Sequence, residues 1–144
     1  MVGQSEVSVT GVCCFIPLAA PSMNSLLNVI WSQKRFETKP EIRLFRTQLK
    51  SYLPLWQPQP ETLYRVHFSF LEDWLHGNGT LKRKDAPNLL KSCLDAVMER
   101  YQLDDCYILE TTAQKVQEAS RVGLILKLQR CGTVADFTAG RLNG

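Results

Sequence analysis

The chain has 144 residues, of which 44% are hydrophobic and 22% are charged, and its net charge is +3. This length suits one hydrophobic core, and the apolar content excludes a chain that is mostly disordered. So small a net charge does not by itself indicate nucleic acid binding, which depends on where Lys and Arg cluster. We therefore expect one domain over residues 1–131, followed by a flexible tail over 132–144.

Cysteine usage and hydropathy exclude several classes of protein. The five cysteines are odd in number and include no Cys-x-x-Cys pair matched by a second pair, so we expect neither a disulfide framework nor a zinc site. The apolar stretch 12–20 follows no basic residue and contains Pro17, which makes it a poor signal peptide and too short a membrane span. We expect a cytoplasmic protein without a membrane partner.

The first half of the chain predicts one strand and one helix. Residues 7–16 mix β-branched and apolar residues before Pro17, which is typical of a buried strand. Residues 20–24 have the composition of a loop. Residues 41–53 place apolar side chains at helical spacing between Pro40 and Pro54, which predicts an amphipathic helix.

The second half predicts the remaining elements. Residues 64–70 alternate between apolar and polar side chains, the pattern of a strand with one covered face. Residues 85–101 give the strongest helical pattern, with apolar residues on one arc. Short strands are expected at 106–109 and 122–128. The predicted fold is α+β, a small mixed sheet of about four strands with two main helices in a single domain.

Polar residues collect on the outer arc of the second predicted helix. Asp85, Asn88, Lys91 and Asp95 share this arc, and Asp104 with Asp105 follows the helix. Clustered carboxylates raise each other's pKa unless a cation neutralises them, and Mg²⁺ prefers such oxygen ligands. A bound Mg²⁺ could activate water against a phosphodiester, and Lys91 could neutralise charge that develops there.

The same residues also fit an ordinary helix. Asp85, followed by Ala86 and Pro87, has the composition of a helix start, with Asp as the N-cap and Pro in the first turn. Lys91 and Asp95 are four residues apart, so they could form a surface ion pair worth a few tenths of a kcal/mol. Both interpretations remain open on the residues alone.

Three segments, taken together, resemble a known family. A basic stretch, Lys82-Arg83-Lys84, precedes Asp85-Ala86-Pro87-Asn88-Leu89-Leu90-Lys91 and then Asp95-Ala96, and Asp104-Asp105 follows about ten residues later. Near the N-terminus stands Pro21-Ser22-Met23-Asn24. This order of motifs resembles the RusA-type Holliday-junction resolvases, and the resemblance covers roughly residues 7–128.

The resemblance implies a homodimeric endonuclease that cuts branched DNA with Mg²⁺, or alternatively Mn²⁺, in recombination and repair near the nucleoid. It implies that Asp85 and Asp105, with Asp104 in support, bind the metal, and that Lys91 is catalytic. Asp95 would support the site structurally. The residues implied to bind DNA are Lys82, Arg83, Lys84, Asn88 and Asn24.

One departure from the family pattern leaves alternatives open. Pro87 occupies the position of the family's second Asp, so one expected metal ligand is missing. The chain could instead be a DNA-binding relative that does not cut, or an interaction module that does not bind DNA. Fold alone cannot decide among these functions.

Overall fold

The computed structural model describes residues 5–19, 21, 27–30, 35–38, 40–82 and 86–142, with the backbone alone for 27–30, 35–38 and 86–88. Within these ranges the fold is α+β, as predicted, with three helices and two separate sheets. The strands are β1 Ser5–Ser8, β2 Gly11–Ile16, β3 Leu27–Ile30, β4 Arg35–Thr38, β5 Thr62–Glu72, β6 Ile108–Gln117 and β7 Gly123–Thr133. The helices are α1 Pro40–Tyr52, α2 Ala86–Tyr101 and α3 Val134–Thr138.

The main sheet has five strands in the order β1-β2-β7-β5-β6. Neighbouring strands are antiparallel except for β5 and β6, which are parallel. Helix α2 connects β5 to β6, because parallel neighbours need a crossover rather than a tight turn. Strands β3 and β4 form a separate antiparallel pair. The sheet therefore has one more strand than the four expected.

The core lies between one face of the main sheet and helices α1 and α2. Tyr64, Val66, Phe68 and Phe70 alternate along β5, and none is more than 1% exposed. They share one buried cluster with residues from both helices and from β2 and β7. The alternation predicted for residues 64–70 is confirmed, since one face of β5 is covered.

The two long helices confirm the predicted helical segments. Helix α1 buries Ile42, Phe45 and Leu49 at spacings of three and four residues. Leu44 is also apolar, but it is 59% exposed because it lies on the outer side of the helix. Ser92 of α2 is a polar residue that is fully buried.

Two predicted strands require correction. The single strand over 7–16 is a hairpin: β1 and β2 are separated by a turn at Val9, which is 69% exposed. The strand predicted over 106–109 begins instead with a 3₁₀ turn, Asp105–Tyr107, before β6. In both places a local turn interrupts an apolar or β-branched run, and hydropathy alone did not reveal it.

The segment 132–144, which was predicted to be a flexible tail, contains secondary structure within its described residues. Strand β7 continues to Thr133, and α3 follows at once. A capping box begins α3: the Thr133 hydroxyl accepts from the Asp136 N–H, and the Asp136 carboxylate accepts from the Thr133 N–H. Leu142 packs over Gly132, so the chain folds back on β7 after α3.

Gly11 permits the close approach of β2 and β7. A Cβ at this position would overlap the backbone carbonyl oxygen of Leu128, which cannot move without separating the strands. We expect Gly11→Ala to lower the free energy of unfolding by about 3 kcal/mol, measured by urea denaturation. Gly77→Ala is the control, because no atom lies within 4 Å of its added Cβ. Equal stability of the two variants would contradict this packing.

None of the helices in the described ranges is long and apolar enough to cross a membrane.

Candidate functional site

Lys82, the described member of the basic stretch, lies at the carboxyl end of β5. Its N–H donates to the Trp74 carbonyl at 2.7 Å, and Trp74 follows the last residue of β5 by two positions. The Gln117 side chain, at the end of β6, accepts from the Trp74 N–H at 2.8 Å and donates to Asp73 at 2.9 Å. The carboxyl ends of the two parallel strands are thus joined beside Lys82.

Asp104 and Asp105 lie at the opposite, amino end of the same two strands. The Leu103 N–H donates to the Met98 carbonyl at 2.9 Å, so the chain turns directly after α2. The Tyr107 N–H then donates to the Asp104 carbonyl at 3.1 Å, which closes the 3₁₀ turn. Ile108 begins β6 next to Tyr64 of β5. Asp104 precedes this turn, Asp105 is its first residue, and both are exposed.

Helix α2 separates the two parts of the predicted motif within one chain. Its 16 residues span about 22 Å along the axis. Lys91 is exposed in the second turn, ten residues and about 15 Å before Tyr101 at the helix end. The structure therefore does not bring Lys82 or Lys91 together with Asp104 and Asp105 in a single chain.

Several predicted site residues lie outside the part of the chain that the structure describes. These are Asn24, Arg83, Lys84 and Asp85, and for Asn88 only the helical backbone is described. Asp85 is the chain neighbour of Ala86, the first residue of α2. Asp105 follows the other end of this helix, so the predicted metal pair is divided between the two helix termini along the chain.

The carboxylate of Asp104 is held by the turn that follows it. Its Oδ1 accepts a hydrogen bond from the Cys106 N–H at 3.1 Å. This backbone hydrogen bond, followed by one from the Cys106 thiol, holds the pKa of Asp104 below its ordinary value. Asp104 is therefore ionised at neutral pH, and one of its carboxylate oxygens caps the 3₁₀ turn. Asp105 is exposed within the turn.

Asp95 connects the two long helices. Its Oδ2 accepts from Arg46 Nη2 of α1 at 3.2 Å, and both side chains are partly buried. One turn further along, Lys50 Nζ lies 2.8 Å from Glu99 Oε1. Asp95 thus pairs with α1 and not with Lys91 on its own helix. The geometry gives Asp95 a structural contact.

Sequence reasoning did not single out a pocket beside Asp104. The pocket has a volume of about 710 Å³ and is lined by the proline-rich segment 56–60 together with the end of α2. Glu61 and Gln102 line it, and both adopt left-handed backbone conformations, with φ of 52° and 50°. Positive φ at residues other than Gly leaves no hydropathy signal. The hydropathy pattern of the sequence therefore does not predict this pocket.

The described carboxylates do not complete a metal site within one chain. Asp104 and Asp105 offer the hard oxygen ligands that Mg²⁺ prefers. No group of three or more His, Cys, Asp or Glu side chains within the described ranges could hold a metal ion. One carboxylate oxygen of Asp104 also accepts a hydrogen bond from the Cys106 N–H. Within the described ranges the predicted site therefore supplies Asp104 and Asp105, and Asp85 lies outside these ranges.

Comparison with known proteins leaves the family open. No protein-family model matches the chain, and no curated protein matches it.

Proposed function

We propose that the protein is a Mg²⁺-dependent endonuclease that cuts branched DNA, such as a Holliday junction, as a homodimer in recombination and repair. The observation that carries the proposal is the order of the motif along one β5-α2-β6 unit. The basic stretch precedes α2, Lys91 lies on the exposed side of α2, and the exposed Asp104-Asp105 pair lies between α2 and β6. This order and the α+β fold agree with the family that the sequence resembles.

In this proposal the basic stretch contacts DNA phosphates, because Lys and Arg supply most of the affinity of proteins for the DNA backbone. Asp105 and Asp85 are the proposed metal ligands, with Asp104 in support. Lys91 is the proposed neutralising cation. Asp95 stabilises α2 through Arg46.

The test is a nicking assay on a labelled synthetic four-way junction with Mg²⁺, with Mn²⁺ and with EDTA. We expect nicking with either metal and none with EDTA, and we expect Asp85→Asn to abolish it. Linear duplex of the same sequence is the substrate control. Absence of nicking by the unaltered chain with both metals would remove the nuclease proposal.

A second candidate is a DNA-binding relative that does not cut, favoured by Pro87 at a family carboxylate position. It requires junction binding that weakens steeply with salt but no cleavage. Pro87→Asp separates the two candidates. New cleavage by Pro87→Asp, when the unaltered chain has none, would identify the chain as a degenerate member.

A further inference from the structure

The pocket beside Asp104 has the size of a site for a small ligand. Its volume of about 710 Å³ lies within the range that such sites occupy. One wall is the proline-rich segment 56–60, and the facing wall is the carboxyl end of α2. The proposed nuclease site uses none of the aromatic and amide side chains of these walls. The pocket is therefore a candidate for a second, independent binding site.

Hydrogen bonds and aromatic contacts fix the proline-rich segment in place. The Tyr101 hydroxyl donates to the Pro54 carbonyl at 2.8 Å, directly before the segment. The Gln59 N–H donates to the Tyr64 hydroxyl, also at 2.8 Å. The Trp56 ring packs edge-on against both tyrosine rings, with centroids 5.2 Å and 5.3 Å away. Because this wall is already ordered, a ligand would lose little affinity to ordering it.

The backbone around the pocket offers more hydrogen-bond acceptors than donors. The segment 56–60 has five carbonyl groups but only three N–H groups, because Pro58 and Pro60 have none. One of the three N–H groups, at Gln59, is already bonded to Tyr64. The facing wall is the carboxyl end of a helix, which has a negative partial charge. Both walls therefore favour a ligand that donates hydrogen bonds and is positively charged.

The charged side chains of the pocket favour the same kind of ligand. Glu61 and Asp104 both line it. The charge of Glu61, and more weakly that of Asp104, raises the pKa of Tyr107, so both carboxylates lie near this hydroxyl. Arg100 is the basic residue among the described lining residues, and its guanidinium lies 5.6 Å from the centre of the Tyr101 ring. Two carboxylates against one guanidinium leave the lining negative, which disfavours a phosphate-bearing ligand.

Two residues of the pocket retain side chains at a cost in backbone energy. Glu61 and Gln102 have positive φ, a conformation that Gly adopts without strain and other residues adopt only at a cost. Both residues line the pocket. Strained residues of this kind cluster at ligand sites, where the side chain is needed at that position. The strain therefore agrees with a binding role for Glu61 and Gln102.

We infer that this pocket binds a guanidinium group on an alkyl chain, as in the side chain of arginine. A guanidinium is planar, donates up to five hydrogen bonds, pairs with carboxylates and stacks on aromatic rings. The rings of Trp56, Tyr101 and Tyr107 supply the stacking surfaces. Glu61 and Asp104, with the carbonyl groups of the segment 56–60, supply the acceptors. The inference rests on the pocket alone and does not depend on nuclease activity.

The inference is tested by titrating the isotope-labelled full chain with Nα-acetyl-arginine amide and following the amide signals by NMR. We expect a Kd of about 1 mM, with shifts at Gln59, Gln102 and Leu103. The citrulline derivative, which has the same shape without the charge, should bind about tenfold more weakly, and the lysine derivative should also bind more weakly. Equal binding of the citrulline derivative, tighter binding of thymidine at the same amides, or no shift at about 10 mM would overturn the inference.

The same titration with agmatine distinguishes the two sources of a guanidinium. Agmatine has the guanidinium and the alkyl chain but no peptide groups. Equal or tighter binding of agmatine would identify a free small molecule as the ligand class. Tighter binding of the acetyl-arginine amide would identify an arginine within a polypeptide. Either result supports the guanidinium site.

Two variants place the ligand in this pocket. Glu61→Gln removes one carboxylate and should raise the Kd for acetyl-arginine amide about tenfold. Glu6→Gln is the matched control, because it removes an exposed carboxylate of β1 that does not line the pocket, and it should leave the Kd unchanged. Gln102→Gly removes a lining side chain and relieves the strain at positive φ. This variant should fold at least as stably and bind about fivefold more weakly.

The melting temperature of each variant is measured beside its Kd. If Glu61→Gln does not fold, Gln102→Gly still decides the inference, because its backbone conformation suits Gly. A folded Gln102→Gly variant with an unchanged Kd, or a folded Glu61→Gln variant that binds as tightly as Glu6→Gln, would overturn the site.

Discussion

Asp105→Asn is expected to lower the rate of junction nicking by about 100-fold to 1000-fold with Mg²⁺. The Asp105 carboxylate is exposed at the start of the 3₁₀ turn, whose N-cap is Asp104. The exchange keeps the size of the side chain and removes only its charge, so the turn and β6 should fold as before. The measurement is the single-turnover nicking rate, with the melting temperature recorded in parallel.

Two controls separate a metal ligand from a structural carboxylate. Asp104→Asn should reduce nicking less, because the Asp104 side chain is already engaged by the Cys106 N–H, to which an amide oxygen can also bond. Glu6→Gln removes an exposed carboxylate on β1 and should leave the rate unchanged. If the Asp105→Asn variant nicks the junction as fast as the Glu6→Gln variant, a catalytic role for Asp105 is refuted.

The sequence predicted best the elements in which burial of one face gives the apolar residues a regular spacing. In β5 the predicted alternation is present because one face of the strand is covered by the core; its buried residues are Tyr64, Val66, Phe68 and Phe70. The spacing of Ile42, Phe45 and Leu49 survives in α1 for the same reason. The turn at Val9 and the helix α3 depend on local hydrogen bonds, which leave weaker patterns in the sequence.

The candidate site was harder to predict because it depends on topology. The sequence places the basic stretch and the acidic pair on either side of one helix, and they look like one motif. The parallel pairing of β5 and β6 makes α2 a crossover, so the two parts lie at opposite ends of the sheet. The alternating pattern of β5 does not distinguish a parallel neighbour from an antiparallel one.

Alkaline pH is expected to unfold the protein through its buried thiols. Burial, with a smaller effect of Cys13, raises the pKa of Cys14 from 9.0 to about 12, and burial alone raises the pKa of Cys93. Above pH 9 the unfolded chain releases these protons while the folded chain retains them. The free energy of unfolding should therefore fall by up to about 1.4 kcal/mol per pH unit for each thiol.

The loss for Cys14 should begin near pH 9 and continue to about pH 12, where the folded thiol itself ionises. Urea denaturation at a series of pH values measures the slope. Cys14→Ala should be less stable than the unaltered chain at pH 7 but lose less stability between pH 9 and 11, because it has no proton to release. Val12→Ala, a neighbouring buried position of β2, controls for lost packing and should lower stability equally at every pH. An identical slope for Cys14→Ala and the unaltered chain would mean that the buried thiol does not set the alkaline limit.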